Sequence, residues 1–198
     1  MSDKFKFAMY WAGSCGGCEI AVFEIKDKIL EVDANYDVVF WPVAADFKYK
    51  DVRGYDDGFI DVCLFNGCIR NSENEEIAHL LRQKSKVLVA FGACATMGGI
   101  PGLINESTAA ELKELVYAKM PSIDNPEGVY PQERYEVPEG ELELPRLYDT
   151  AKTLDQTVDV DCYVPGCPPE AHQIAAVLDV VTAALKGEGE LPPKGAVV

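Results

Sequence analysis

The chain has 198 residues, 48% hydrophobic and 10% aromatic, which fits one folded domain and excludes intrinsic disorder. Eighteen basic residues against 33 acidic ones leave a formal charge of -15, which repels nucleic acid phosphates and anionic membrane surfaces, so no nucleic acid partner is expected. No apolar run reaches the ~20 residues of a membrane span, and Met1 to Lys6 running into Phe7 to Ala12 is too brief for a signal peptide, which together imply a cytoplasmic protein.

In chain order, Lys4 to Trp11 reads as an aromatic-rich first strand stopped by Gly13. Ile20, Phe23, Ile25, Ile29 and Leu30 then predict a helix over Glu19 to Val32, followed by a short buried strand from Asp37 to Pro42. A polar connection from Asp46 to Gly58 leads to a strand over Ile60 to Phe65, ended by Asn66 and Gly67. Ser72 with Glu75 forms a capping box for a helix whose apolar face is Ile77, Leu80 and Leu81, and Lys86 to Phe91 is a clear buried strand. A further helix starts at Thr108 with Glu111 and runs to about Lys119. Beyond it five prolines from Pro121 to Pro145 predict an irregular insertion over about 120–150. Val158 to Val164 returns to strand. A helix over Glu170 to Lys186 follows, opened by Pro168 and Pro169 and closed by Gly187, and 187–198 reads as a connector. Alternating strands and helices predict an α/β fold, a flavodoxin-like doubly wound parallel sheet within one domain over 1–198.

Seven cysteines, an odd number in a reducing compartment, point to metal binding and not to disulfides. In open parallel sheets ligands bind beyond the carboxyl ends of the strands. That rule selects Cys15 and Cys18 after the first strand, Cys94 after the strand ending at Phe91, and Cys167 after the strand ending at Val164. Flanking glycines let backbone N–H groups approach sulfur, and helices following Cys18 and Cys167 would aim partly positive N-termini at an anionic centre. Four thiolates suit an iron-sulfur cluster or a structural zinc equally well in donor type; a dithiol oxidoreductase would need only Cys15 and Cys18. Cys63 and Cys162 sit in apolar strands as buried packing thiols, and Cys68 reads as a free thiol near the same edge. His79 and His172 have no ligand-like companions. The glycine-rich stretches lack the pattern of a phosphate loop or a dinucleotide fingerprint.

The segments Trp11 to Glu19 (WAGSCGGCE), Phe91 to Ala95 (FGACA) and Pro165 to Pro169 (PGCPP) resemble the three signatures of nickel-iron hydrogenase small subunits. Val39 to Pro42, Asp46 to Lys50, Leu64 to Gly67 and Arg70 to Glu73 resemble the soluble methyl-viologen-reducing group associated with heterodisulfide reductase. The resemblance implies that Cys15, Cys18, Cys94 and Cys167 ligate one 4Fe-4S cluster, that the nickel-iron centre lies in a partner large subunit, and that this chain carries electrons onward. It implies further partners, an iron-sulfur electron-acceptor subunit and heterodisulfide reductase, and a proton-transfer role for Glu19, which an ordinary first-turn glutamate would explain as well. The related quinone-reducing complex subunit begins its ligand set with adjacent cysteines, whereas Gly16 and Gly17 separate the pair here. Many members carry further cysteines in a C-terminal extension; none follows Cys167 in this sequence, which places the next electron carrier on another segment or subunit.

Overall fold

A computed structural model describes residues 4–198. Met1 to Asp3, the start of the segment read above as too short for a signal peptide, lie outside the described residues. β1 (Phe5–Trp11) forms as expected. The single helix expected over Glu19 to Val32 is two helices, α1 (Gly17–Phe23) and α2 (Lys28–Asn35), parted by a turn in which Lys26 holds φ +54°. Ile20, Phe23 and Leu30 face outward, while Ile25 is buried as expected and Cys18, Ala21 and Val22 supply the rest of the buried side. β2 (Tyr36–Phe40) stops before Trp41 and Pro42. A short helix, α3 (Tyr49–Gly54), anchored by buried Val52, occupies part of the expected connection.

β3 (Ile60–Asn66) and a short β4 (Ile69–Asn71) precede α4 (Ser72–Lys84). Asn71, not the expected Ser72 and Glu75 pair, caps α4: its Oδ1 accepts from the Asn74 N–H at 2.8 Å, while Ser72 is already helical and its Oγ accepts from the Arg146 N–H. β5 (Ser85–Phe91) runs into a single turn, α5 (Ala93–Met97), and α6 (Ala109–Glu114) starts on the expected Thr108 and Glu111 box before widening into a π-turn over Leu115–Lys119. The proline-rich insertion contains regular structure: β6 (Arg134–Val137) and β7 (Gly140–Glu143) form a hairpin, and β8 (Leu147–Lys152) pairs antiparallel with β4. β9 (Cys162–Val164) is shorter than expected, although Val158 and Val160 before it are buried. After α7 (Ala171–Leu185), the stretch expected as a connector ends in β10 (Ala196–Val197), which pairs parallel with β9.

The central sheet has six parallel strands in the order β10-β9-β5-β3-β1-β2. Read from β2, this is the flavodoxin-like order with one strand added, so the reversal of winding falls between β1 and β3. Side chains alternate across the sheet: Phe7, Met9, Leu64, Val87 and Val89 pack under α1, α2 and α7, while Ala8, Tyr10, Phe65, Leu88 and Ala90 pack under α3, α4 and α5. Burial on both faces explains why these strands read as unbroken apolar runs, and each fully buried side chain contributes roughly 1.5–3 kcal/mol. Because all six strands run the same way, the loops after β1, β3, β5 and β9 open at one edge. Among the described residues no helix is long and apolar enough to cross a membrane.

Candidate metal centre

The loop after β1 is tied to the loop after β3 by a reciprocal pair of bonds, Gly13 N–H to Cys68 O and Cys68 N–H to Gly13 O, both at 3.0 Å. From that fixed point the chain turns through Ser14 and Cys15 to Gly16 and enters α1, so Cys18 sits in the helix's first turn and not ahead of it. The loop after β5 is tied in the same way to β9 and its following loop, through Gly92 N–H to Val164 O at 2.8 Å and Ala93 N–H to Gly166 O at 2.7 Å. These bonds bring the loop that carries Cys94, in α5, beside the loop that carries Cys167. The two loops are far apart in sequence and are brought together only by strand pairing.

Cys18 and Cys94 are buried, and Cys15 and Cys167 are exposed at the rim. Gly92 has φ +85°, and a Cβ there would fall 2.3 Å from Cys18 Sγ, so the cysteine occupies space that only glycine leaves free. Burial pushes the Cys18 thiol up to about 12, and Cys94, Cys15, Cys167 and Glu19 push it the same way. Burial likewise raises Cys94, followed by Cys15 and Cys167, while the Ile100 N–H bonded to it acts in the opposite sense. Gly17 N–H reaches Cys15 Sγ at 3.5 Å. A cationic core would offset what disfavours the Cys18 and Cys94 thiolates, so the donor set fits a thiolate-held metal group. A single tetrahedral ion would require sulfurs at ~2.3 Å from one point. Among the described residues no three His, Cys, Asp or Glu side chains are grouped closely enough to hold a single metal ion.

Cys68, fully buried, lies at the same edge, paired through its backbone with Gly13; burial pushes its thiol up to about 11, Cys94 adds to this, and Arg70 opposes it. Cys63 and Cys162 are packing thiols inside β3 and β9. His79 is exposed on α4, and His172 pairs with Glu170 on the surface.

Glu19 is 3% exposed. Its Oε2 accepts from Trp41 Nε1, and the side-chain amide of the fully buried Asn66 lies beside its carboxyl. Burial raises the Glu19 carboxyl, against the Trp41 and Asn66 contacts. Neither Trp41 nor Asn66 was singled out from sequence. Asn66 precedes a glycine and reads as a turn residue, and only β3's central place in the sheet buries it.

Residues 15–181 match the family described as NADH ubiquinone oxidoreductase, 20 Kd subunit. The chain is 44% identical over 191 residues to the iron-sulfur subunit of the F420-non-reducing hydrogenase of Archaeoglobus profundus, covering 96% of this chain and 58% of that protein. It is 39% identical over 193 residues to a subunit of the F420-non-reducing hydrogenase of Methanothermobacter marburgensis, covering 97% of this chain and 57% of the relative. The chain thus spans only part of these relatives' length. A chain of the NAD+-reducing [NiFe]-hydrogenase, solved in its H2-reduced state, superposes with a TM-score of 0.77 at 26% identity, with 96% of each chain covered. The chain therefore belongs to the NADH ubiquinone oxidoreductase 20 kDa subunit family and is a homologue of its hydrogenase small subunits.

Proposed function

We propose that the chain is the electron-transfer small subunit of a cytoplasmic nickel-iron hydrogenase, holding one proximal 4Fe-4S cluster on Cys15, Cys18, Cys94 and Cys167. The observation that carries this reading is the convergence of four thiols from the loops after β1, β5 and β9 at one edge of the sheet, where burial, with the neighbouring thiols, disfavours the bare thiolates of Cys18 and Cys94. Bound there, a 4Fe-4S cluster supplies one-electron transfer between the partner's nickel-iron centre and the next carrier. Around it, the Gly17 and Ile100 N–H groups donate to ligand sulfur and temper its negative charge, while buried Cys18 and Cys94 hold the inner side away from water.

Trp11, Ile20, Met97, Ile100 and Leu103 are exposed apolar side chains on the segments that carry Cys15, Cys18 and Cys94. A surface of that kind suits a permanent protein partner, which supports placing the large subunit against it. The resemblance extends the route to an iron-sulfur acceptor subunit and heterodisulfide reductase. Glu19 belongs to the same proposal as a proton-transfer residue, supported by its buried carboxyl. Zinc-stabilised packing is the rival, and metal and acid-labile sulfide analysis separates the two.

The test is co-expression with the large subunit. Cys94→Ser is expected to abolish hydrogen-dependent dye reduction while nickel stays on the large subunit. Dye reduction at the unsubstituted rate would contradict the electron route.

A further inference from the structure

The two halves of the Cys15 and Cys18 pair are held differently. Cys18 is fixed by burial, its sulfur seated against Gly92. Cys15 is exposed. What spans its turn is one side chain from the end of β1. The Trp11 Nε1–H donates to Ser14 O at 3.1 Å, and the six-membered ring of the same indole lies against Gly16, where a Cβ would meet Cζ2 and Cη2 at 2.9 Å. Gly16 holds φ +82° as the residue that caps α1, and its N–H donates to Ser14 Oγ at 3.3 Å. Residues on either side of Cys15 are thus gripped by the six-membered edge and the N–H of a single ring that is itself 41% exposed.

We propose that Trp11 is a positioning residue for Cys15: its indole clamps the Ser14 to Gly16 turn and thereby sets where the exposed ligand sulfur points. This rests on the four-cysteine cluster reading above. A side chain that served only to dock a partner would need its apolar area but not the bond to the Ser14 carbonyl. A side chain that served only to fill space would not lie over the one residue whose missing Cβ admits it. The clamp also limits water at the rim, so its removal shifts the cluster potential upward as solvent stabilises the more negative state.

The experiment uses the full chain with Trp11→Ala, Trp11→Phe and, as an exposed apolar control outside the site, Val129→Ala. Three quantities are read: the rate of iron loss to a chelator, the reduction potential, and hydrogen exchange of the Ser14 to Gly17 amides in cluster-free protein. Trp11→Ala is expected to lose iron roughly threefold faster or more, with a raised potential and faster exchange confined to that turn; Trp11→Phe, which keeps a ring but no N–H, falls between; Val129→Ala matches the unsubstituted chain. Iron loss and exchange in Trp11→Ala at the unsubstituted rate overturn the proposal. If the unsubstituted chain binds no iron or sulfide, the cluster reading fails separately. Exchange then decides the clamp alone: faster turn exchange in Trp11→Ala sustains it, and unchanged exchange overturns it.

Discussion

The cysteine edge of the sheet and the insertion that interrupts it between Cys94 and Cys167 are held by different forces. At the edge, strands buried on both faces fix the loops, and backbone bonds tie one loop to the next. In the insertion, β6 and β7 are exposed along almost their whole length, and the hairpin is joined by backbone pairing and by ion pairs such as Arg134 with Glu143 at 3.0 Å. Exposed ion pairs of this kind contribute little, with a median of about 0–1 kcal/mol. The insertion is tied back where β8 meets β4 and where Asn105 bonds both backbone groups of Ala151. The four cysteines assigned to the proposed cluster are thus carried by the buried sheet's loops, and the exposed segment between Cys94 and Cys167 supplies none of them.

Ways to break this comparison fall in order of size. Cys18→Ser is expected to remove most of the iron and sulfide, whereas Tyr135→Ala in the hairpin leaves both unchanged; metal and sulfide analysis separates the two. Gly92→Ala, whose methyl would enter Cys18's space and whose φ is positive, is expected to lower iron content strongly. Gly128→Ala, with φ +64° but open space around it, should cost about 1 kcal/mol and no iron. In urea denaturation Phe65→Ala, at a fully buried position, should cost about 3–5 kcal/mol, against about 0.5 kcal/mol or less for Leu142→Ala, which is 56% exposed.

The smallest effect tests the joint between the regions. Glu75 on α4 accepts from Tyr148 Oη at 2.5 Å and from Lys152 Nζ at 3.2 Å on β8, and these contacts, the Tyr148 bond foremost, hold its carboxyl below the ordinary carboxylate value. A depressed folded value means the stabilisation is present above the unfolded carboxylate pKa of ~4.3 and is lost as pH falls through the folded one. Glu75→Gln should therefore lower Tm slightly at neutral pH, with the difference closing in acid.

The same division governs what the sequence reveals. Buried apolar runs made β1, β3 and β5 readable, and the rule that parallel sheets present their carboxyl ends together separates Cys15, Cys18, Cys94 and Cys167, on the loops at that edge, from Cys63 and Cys162, within the strands. Elements held by tertiary contact alone were not readable. Lys26 breaks α1 from α2 without a glycine or proline to mark it, the charged strands β6 and β7 lack an apolar pattern, and β10 is two residues that become a strand only beside β9. The contact of Trp41 with Glu19 is likewise invisible locally, because it joins the end of β2 to the first turn of α1.

The most direct test of the central claim is anaerobic iron, zinc and acid-labile sulfide analysis of the purified chain, with electron paramagnetic resonance after reduction. The account predicts about four irons and four sulfides per chain and a reducible cluster signal, all lost in Cys94→Ser. Zinc without sulfide, in a preparation never exposed to oxygen, would contradict it.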